Sequence, residues 1–279
     1  MKLFRHDGTM FEFDEDLFVK YYRNDYFLNK EDYKVPDLRN RSNDNIEEEI
    51  IKILKKGKGN RSYDKRDIAR ILAWKIGFID HEKSNTDFVY QKYWTDLEQR
   101  ADKINGVVKR GVRSNNEDFP IGRIAEYIVK NQDDLKRVAN NSPRDFLNLF
   151  KIEERNKERF KGLGTVYILT LLYFLSGEKY PIYDKFAHKA AKAIVLDVNP
   201  REVYVGPAPD KAEVDSIITM YSEYCWLLTK IFGTRDDNCF ITRKQDQALW
   251  VYGHSKEKFP VSDDKSKDKK LFDFDIVNG

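Results

Sequence analysis

The chain has 279 residues, of which 41% are hydrophobic and 35% charged, and its formal net charge is +3. No apolar run reaches the roughly 18 residues that a membrane span needs, so a soluble, globular protein is expected. The two cysteines, Cys225 and Cys239, can build neither a disulfide framework nor the four-thiolate ligand set of an iron–sulfur cluster. We therefore expect a cytoplasmic protein with no cofactor and no membrane partner.

The N-terminal segment has the pattern of a β-hairpin. Alternating residues over 2–5 and 10–13 flank Asp7 and Gly8, and Asp-Gly between such runs favours a tight hairpin turn. A short helix is expected over 15–23, and the polar segment 29–43 is expected to be a loop. Residues 1–43 are therefore predicted to form an N-terminal β-hairpin and short helix.

Apolar periodicity and capping residues predict helices along the rest of the chain. A helix over 45–56 places its apolar residues on one face, and we expect Gly57 to end it. Those residues are Ile46, Ile50, Ile51 and Leu54. Ser142, Pro143 and Asp145 are typical of a helix start, with a capping serine and proline at the first position. Further helices are predicted over 64–77, 88–101, 120–129, 146–160, 166–176, 185–194, 211–231 and 242–252.

These elements predict a mainly α fold with a small N-terminal β element. Loops are expected over 106–118 and 197–210, and no internal repeat is present. Residues 44–254 are predicted to form one helical domain. The polar, charged segment 255–279 is predicted to be a flexible tail.

The most informative pattern joins residues 160–166 to residues 180–184. Gly162 and Gly164 permit a tight turn that opens onto an apolar helix, and they leave backbone N–H groups bare. Gly177 is predicted to cap the other end of that helix. N–H groups at a helix N-terminus are ready phosphate ligands. Asp184 follows Gly164 by twenty residues and stands at the start of the next helix.

This pattern resembles the helix-hairpin-helix DNA glycosylase superfamily, in which an Asp lies about twenty residues beyond the second hairpin glycine. The Gly-Leu-Gly-Thr turn is most similar to the 8-oxoguanine DNA glycosylase-like group. Lys161 replaces the usual hairpin proline, Val166 stands where bifunctional members carry the Schiff-base lysine, and Phe186 replaces the family's histidine. The resemblance covers residues 160–194 and implies helices in two lobes, with the hairpin near the cleft.

The resemblance implies a DNA-binding, base-excision protein. Asp184 is the catalytic candidate, because a carboxylate stabilises the oxocarbenium-like state that forms when a base–sugar bond breaks. Since Val166 cannot form an imine, the expected enzyme is a monofunctional DNA N-glycosylase that uses water against a modified base such as an oxidised purine. Capping the helix that follows is the alternative role of Asp184.

The resemblance also assigns residues that hold DNA. Gly162, Gly164 and the N–H groups of Thr165 and Val166 are expected to bind a phosphate, with a monovalent cation at the hairpin carbonyls. Lys161 and Lys189 would add contacts to phosphate. No other metal site is expected, because the four histidines are dispersed. The basic segment 52–75, with nine lysines and arginines, either neutralises phosphates or is a solvated surface balanced by acids.

An extruded base needs a flat, partly apolar pocket with aromatic stacking. The aromatic candidates are Tyr183, Phe186, Trp74, Trp226 and Trp250, and core packing is the alternative role of each. Asp246 and Gln247 are candidates for reading a base edge, and a surface helix is the alternative for their segment. A second hypothesis is a helix-hairpin-helix module that binds DNA or a modified nucleotide without cutting, and a third is a protein-interaction scaffold. The target base, the strandedness of the substrate and the oligomeric state stay open.

Overall fold

The computed structural model describes residues 1–4, 9–27, 41–59, 61–76, 108–109, 118–119, 121–150, 163–209, 214–234 and 240–254. Over these ranges the chain is mainly helical, with two small antiparallel sheets of two strands each. The predicted class, mainly α with a small β element, is therefore confirmed. None of the described helices is long and apolar enough to cross a membrane.

The N-terminal β-hairpin is present. Strands β1 (Lys2–Phe4) and β2 (Met10–Glu12) pair antiparallel, with Leu3 opposite Phe11, and both of these side chains are buried. The predicted turn at Asp7 and Gly8 lies outside the described residues. Two further short strands, β3 (Val108–Lys109) and β4 (Asp118–Phe119), pair within the segment predicted to be a loop.

The described helices follow the predicted order, except that the helix over Gln132–Asn141 was not predicted. They are α1 (Glu15–Phe27), α2 (Arg41–Lys58), α3 (Lys65–Ile76), α4 (Ile121–Lys130), α5 (Gln132–Asn141), α6 (Pro143–Asn148), α7 (Thr165–Leu175), α8 (Lys185–Val195), α9 (Val214–Phe232) and α10 (Arg243–His254). A 3₁₀ turn, Pro200–Glu202, interrupts the loop between α8 and α9. The helix predicted over 88–101 and the tail predicted over 255–279 lie outside the described residues.

Local capping chemistry is as predicted at two helix ends. Ser142 accepts a hydrogen bond from the Asp145 N–H at 3.2 Å, with Pro143 in the first turn of α6. Gly177 follows α7 with a φ of +64°, a conformation that glycine adopts without steric cost.

Two other helix ends differ from the prediction. Helix α6 ends at Asn148, where the N–H groups of Leu149 and Phe150 bond three residues back and tighten the last turn. The rest of the helix predicted over 146–160 lies outside the described residues. Helix α2 passes through Gly57 and ends at Lys58. Its buried face includes Ile53, which was not predicted, whereas Ile51, which was predicted on that face, is exposed.

The chain divides into two compact units. The first contains the described residues within Met1–Val35, Tyr183–Pro207 and Met220–Gly279, and the second those within Pro36–Ile182 and Ala208–Thr219. Strands β1 and β2 thus share a unit with α1, α8 and α10, whereas α2 to α7 belong to the second unit. Helix α9 has its first six residues in the second unit and the rest in the first.

In the first unit, α10 packs against both α8 and α1. The rings of Phe18, Tyr22 and Tyr252 form a cluster with centroids 5.0 to 5.9 Å apart. The Tyr252 hydroxyl accepts a hydrogen bond from the Phe4 N–H at 2.8 Å, which attaches β1 to α10. Small residues let α8 and α10 approach closely, since a Cβ on Gly253 would lie only 1.9 Å from the Phe186 carbonyl oxygen.

In the second unit, α7 is the central helix. Every residue from Tyr167 to Leu175 is buried. The Tyr63 hydroxyl donates to the Phe174 carbonyl at 2.9 Å, which satisfies one of the carbonyls left open at the end of α7. Gly57 makes room for that hydroxyl, because a Cβ at this position would lie 1.9 Å from it.

We therefore expect Gly57→Ala to destabilise the protein by about 1–3 kcal/mol, the usual cost of overpacking. The penalty should be smaller in a Tyr63→Phe background, because the closest contact is then absent. Urea unfolding of the two single variants and the double variant measures this coupling. Gly59→Ala is the matched control, since its Cβ would meet nothing closer than 3.4 Å. Equal penalties in both backgrounds would contradict this explanation of Gly57.

Candidate functional site

Asp184 directly precedes α8 and caps it. Its backbone is extended, with φ −139° and ψ 136°, and its Oδ1 accepts a hydrogen bond from the Phe186 N–H at 2.9 Å. Its carbonyl accepts the N–H of His188 at 2.9 Å. The carboxylate is half-buried and lies at the positive end of the helix dipole, which favours a negative charge. The capping role is therefore real, and it holds a partly exposed carboxylate in one orientation.

Behind this cap is a buried aromatic cluster of Tyr183, His188 and Tyr224. The Tyr183 hydroxyl lies 3.2 Å from His188 Nδ1, and its ring is edge-on to both other rings at 5.5 to 5.6 Å. Burial raises the pKa of Tyr183, and the charge of Asp184 raises it further. Because Tyr183 is fully buried, its ring is not placed to stack on an extruded base in this conformation.

A surface ion pair lies beside this cluster. Lys192 Nζ contacts Glu223 Oε1 at 2.8 Å, and the other oxygen of Glu223 lies 3.8 Å from His188 Nε2. Burial lowers the pKa of His188 to about 4, while Glu223 opposes this shift and Lys192 adds to it. The hydrogen bond from Lys192 lowers the pKa of Glu223. His188 is therefore neutral at pH 7, a role that its isolated position in the sequence did not indicate.

This burial makes stability depend on pH. An unfolded chain takes up the proton near the ordinary His pKa of 6.5, but the folded chain resists until about pH 4. The contribution of neutral His188 is therefore complete above pH 6.5 and is lost as the pH falls towards 4, by on the order of 3 kcal/mol. We expect the difference in unfolding free energy between wild type and His188→Asn to change by this amount across the window. Urea unfolding at several pH values measures it, and a constant difference would contradict it.

The two residues expected to read a base edge are bonded to protein groups. Asp246 is buried and forms an ion pair with Arg243, and Gln247 Oε1 accepts a hydrogen bond from Arg23 at 3.2 Å. Gln245 through Leu249 are all buried, so the alternative of a surface helix is wrong for this segment. The Thr242 N–H donates to Gln245 Oε1 at 2.5 Å and the Gln245 N–H donates to the Thr242 hydroxyl, a reciprocal cap that begins α10.

The remaining aromatic candidates differ in exposure. Phe186 and Trp250 are half-buried with ring centroids 6.4 Å apart, and Lys185 Nζ lies 4.9 Å from the Phe186 centroid. Trp74, in the second unit, packs edge-on against Phe174. Trp226 is 53% exposed, so it is the most accessible of the five. Phe186 and Trp250 thus lie in the same unit as Asp184, and each is partly open to solvent.

The N-terminus of α7 lies in the second unit. Gly164 caps it, and its carbonyl accepts the N–H groups of Tyr167 and Ile168 at 3.0 and 3.2 Å. Thr165 is buried, and its hydroxyl donates to the Pro209 carbonyl at 2.8 Å, whereas Val166 is half-buried. Lys161 and Gly162, with the expected cation at the hairpin carbonyls, lie outside the described residues.

The basic segment is partly engaged in the fold. Lys56 Nζ lies 2.8 Å from the buried carboxylate of Asp67, and Lys58 pairs with Glu178. Other members are open to solvent, among them Lys55, Arg61 and Arg66. Lys189, the other predicted phosphate contact, is half-buried on α8. The segment is thus part structural and part exposed positive surface.

No protein-family model, curated protein or solved structure matched the chain. Within the described ranges, no group of three His, Cys, Asp or Glu side chains is arranged to hold a metal ion. Fold and site together therefore define a mainly helical protein with a capping carboxylate beside a buried Tyr–His cluster.

Proposed function

We propose that this protein binds DNA and is a monofunctional DNA N-glycosylase acting on a modified base, with Asp184 as its catalytic carboxylate. The observation that carries the proposal is a half-buried Asp184, held in one orientation at the start of α8, twenty residues after the glycine that caps α7. Gly164 and Asp184 therefore have the spacing of the hairpin glycine and the catalytic aspartate in the helix-hairpin-helix glycosylase superfamily.

In this proposal Asp184 acts by electrostatics. Cleavage of the base–sugar bond leaves positive charge on the deoxyribose, which an adjacent, preoriented carboxylate stabilises. One oxygen of Asp184 is oriented by the Phe186 N–H, so the side chain does not have to reorganise during the reaction. Water is the nucleophile, because Val166 offers no amine.

DNA is held through its phosphates. The N-terminus of α7, after Gly164, suits an anion, because backbone N–H groups and the positive end of the helix dipole lie there. Lys189 adds positive charge on α8 in the same unit as Asp184. Phe186 and Trp250, each partly exposed, supply apolar surface for an extruded base.

The test is base release. Duplexes that carry a panel of modified bases are incubated with the protein, and hot alkali converts each abasic site into a strand break. Breaks with at least one base, lost in Asp184→Asn, are expected. Absence of breaks with every base, on single strands as well as duplexes, would refute the glycosylase.

A second candidate function is binding without cleavage. It is favoured by the placement of three predicted pocket residues, since Tyr183 is fully buried and both Asp246 and Gln247 are bonded to protein groups. A binding module predicts salt-dependent DNA affinity that is equal in wild type and Asp184→Asn, with no base released. No salt-dependent affinity at all would leave only the interaction scaffold.

A further inference from the structure

Asp184 lies between two residues that are bonded to each other. The Tyr183 hydroxyl and the ring nitrogen Nδ1 of His188 are 3.2 Å apart, and the backbone N–H of His188 donates to the Asp184 backbone carbonyl at 2.9 Å. The segment 183–188 is therefore closed by one side-chain bond and one backbone bond. Both Tyr183 and His188 are buried, so water does not compete for these groups.

The surroundings of His188 favour one form of its neutral ring. Nε2 faces the Glu223 carboxylate at 3.8 Å, which favours the ring proton on that nitrogen. With the proton on Nε2, Nδ1 is the acceptor for the Tyr183 hydroxyl. The charged and titratable groups around His188 are Glu223 and Lys192 at the surface, Tyr183 and Tyr224 inside, and Asp184 at the helix start.

We propose that Tyr183 and His188 are positioning residues for Asp184, and that their mutual hydrogen bond sets the direction of its carboxylate. The proposal rests on the proposed function for its catalytic meaning. Physically, it requires that loss of the Tyr183–His188 bond loosens the capping bond between Asp184 and the Phe186 N–H. Neither residue touches the substrate, and both act through Asp184.

Tyr224 provides a matched control within the same cluster. It is fully buried and contacts both Tyr183 and His188 through its ring, but its hydroxyl has no hydrogen-bond partner in the described part of the chain. Tyr183→Phe and Tyr224→Phe therefore remove the same atom from the same kind of environment. Only the first removes a bond that closes the segment around Asp184.

Amide hydrogen exchange tests the proposal without any activity. In Tyr183→Phe, exchange at the Phe186 amide should accelerate about fivefold relative to the Ile194 amide farther along α8, the effect of one ordinary hydrogen bond. Tyr224→Phe should leave this ratio unchanged. A ratio that is unchanged in Tyr183→Phe, or that rises equally in both variants, would overturn the proposal.

A second pair of variants addresses His188. His188→Asn places an oxygen near the Nδ1 position and keeps an acceptor for Tyr183, whereas His188→Leu has a similar volume and no acceptor. The Phe186 amide should exchange more slowly in His188→Asn than in His188→Leu, again relative to Ile194. Equal ratios would overturn the role of His188.

Base release separates this proposal from the proposed function. If the wild type releases a base, Tyr183→Phe should lower kcat about fivefold with KM unchanged, and Tyr224→Phe should leave both constants unchanged. A change in KM alone would overturn positioning. If the wild type releases no base, the proposed glycosylase activity is refuted. The amide exchange ratios of Phe186 to Ile194 alone then decide whether Tyr183 and His188 orient Asp184.

Discussion

Replacing Asp184 with asparagine is expected to lower base release by about two to three orders of magnitude, while stability falls by no more than the roughly 0.3–1 kcal/mol that a negative charge contributes at a helix N-terminus. Asparagine caps a helix as well as aspartate, since its side-chain oxygen accepts the same N–H. The Phe186 N–H would therefore keep its acceptor at 2.9 Å, and only the negative charge would be lost. The variant thus separates the electrostatic role of Asp184 from its capping role.

Asp184→Ala completes this comparison. It removes both the charge and the cap, so it should lose activity and about 1 kcal/mol of unfolding free energy. Single-turnover cleavage of a lesion-containing oligonucleotide measures the first effect, and urea unfolding measures the second. A full rate in Asp184→Asn, with a stability loss in Asp184→Ala, would leave Asp184 as a cap and nothing more.

Gly253→Ala is expected to be the most destabilising single-methyl change in the first unit, at more than about 3 kcal/mol. The added Cβ would lie 1.9 Å from the Phe186 carbonyl oxygen and 3.1 Å from the Ala190 nitrogen. Both are backbone atoms, which cannot rotate away as the end of a side chain does. Relief would require α10 to separate from α8, and α8 carries Asp184 at its start.

Gly206→Ala is the control for this prediction. Its Cβ would make only ordinary contact, at 3.8 Å from the Tyr204 ring, and its φ is not positive. It should be neutral or slightly stabilising, because alanine lowers the entropy of the unfolded chain. Urea unfolding measures the change in unfolding free energy of both variants relative to the wild type. A Gly253→Ala penalty no larger than that of Gly206→Ala would contradict close backbone contact between α8 and α10.

The features that the sequence predicted correctly depend on near neighbours in the chain. Ser142 caps α6 because its hydroxyl reaches an N–H three residues ahead, and Gly177 follows α7 because it adopts a positive φ. The β-hairpin follows from alternation on both sides of a short turn. In each case the interacting residues lie within ten positions of each other, so the pattern contains its own physical cause.

The errors arise where distant contacts prevail. Gly57 was predicted to end a helix, but it lies inside α2, which ends one residue later at Lys58, and its missing side chain makes room for Tyr63 and the end of α7. Residues 149 and 150 were predicted to continue a helix, but α6 ends at Asn148, where Phe146, Leu147 and Phe150 are all buried. A glycine in a sequence can indicate either a turn or a close packing contact, and the sequence alone does not distinguish the two.

The candidate site shows the same division. The start of α8 at Asp184 was predictable, because a carboxylate two residues before a helical N–H is a local feature. The burial of Tyr183, Asp246 and Gln247, and the bonds of the last two to Arg243 and Arg23, were not. The burial of His188 gave no signal, since it depends on Tyr224 and Glu223, which are thirty-six and thirty-five residues away in the chain.

Composition, helical periodicity and capping residues thus establish a mainly helical chain with a carboxylate at the start of α8, because these properties arise from interactions within a few residues. Which polar side chains are buried, which glycines admit a neighbouring backbone, and which groups hold Asp184 in place depend on packing between segments far apart in the chain. Those contacts are set by the volume and hydrogen-bonding capacity of both partners together. No single segment of the sequence contains that information.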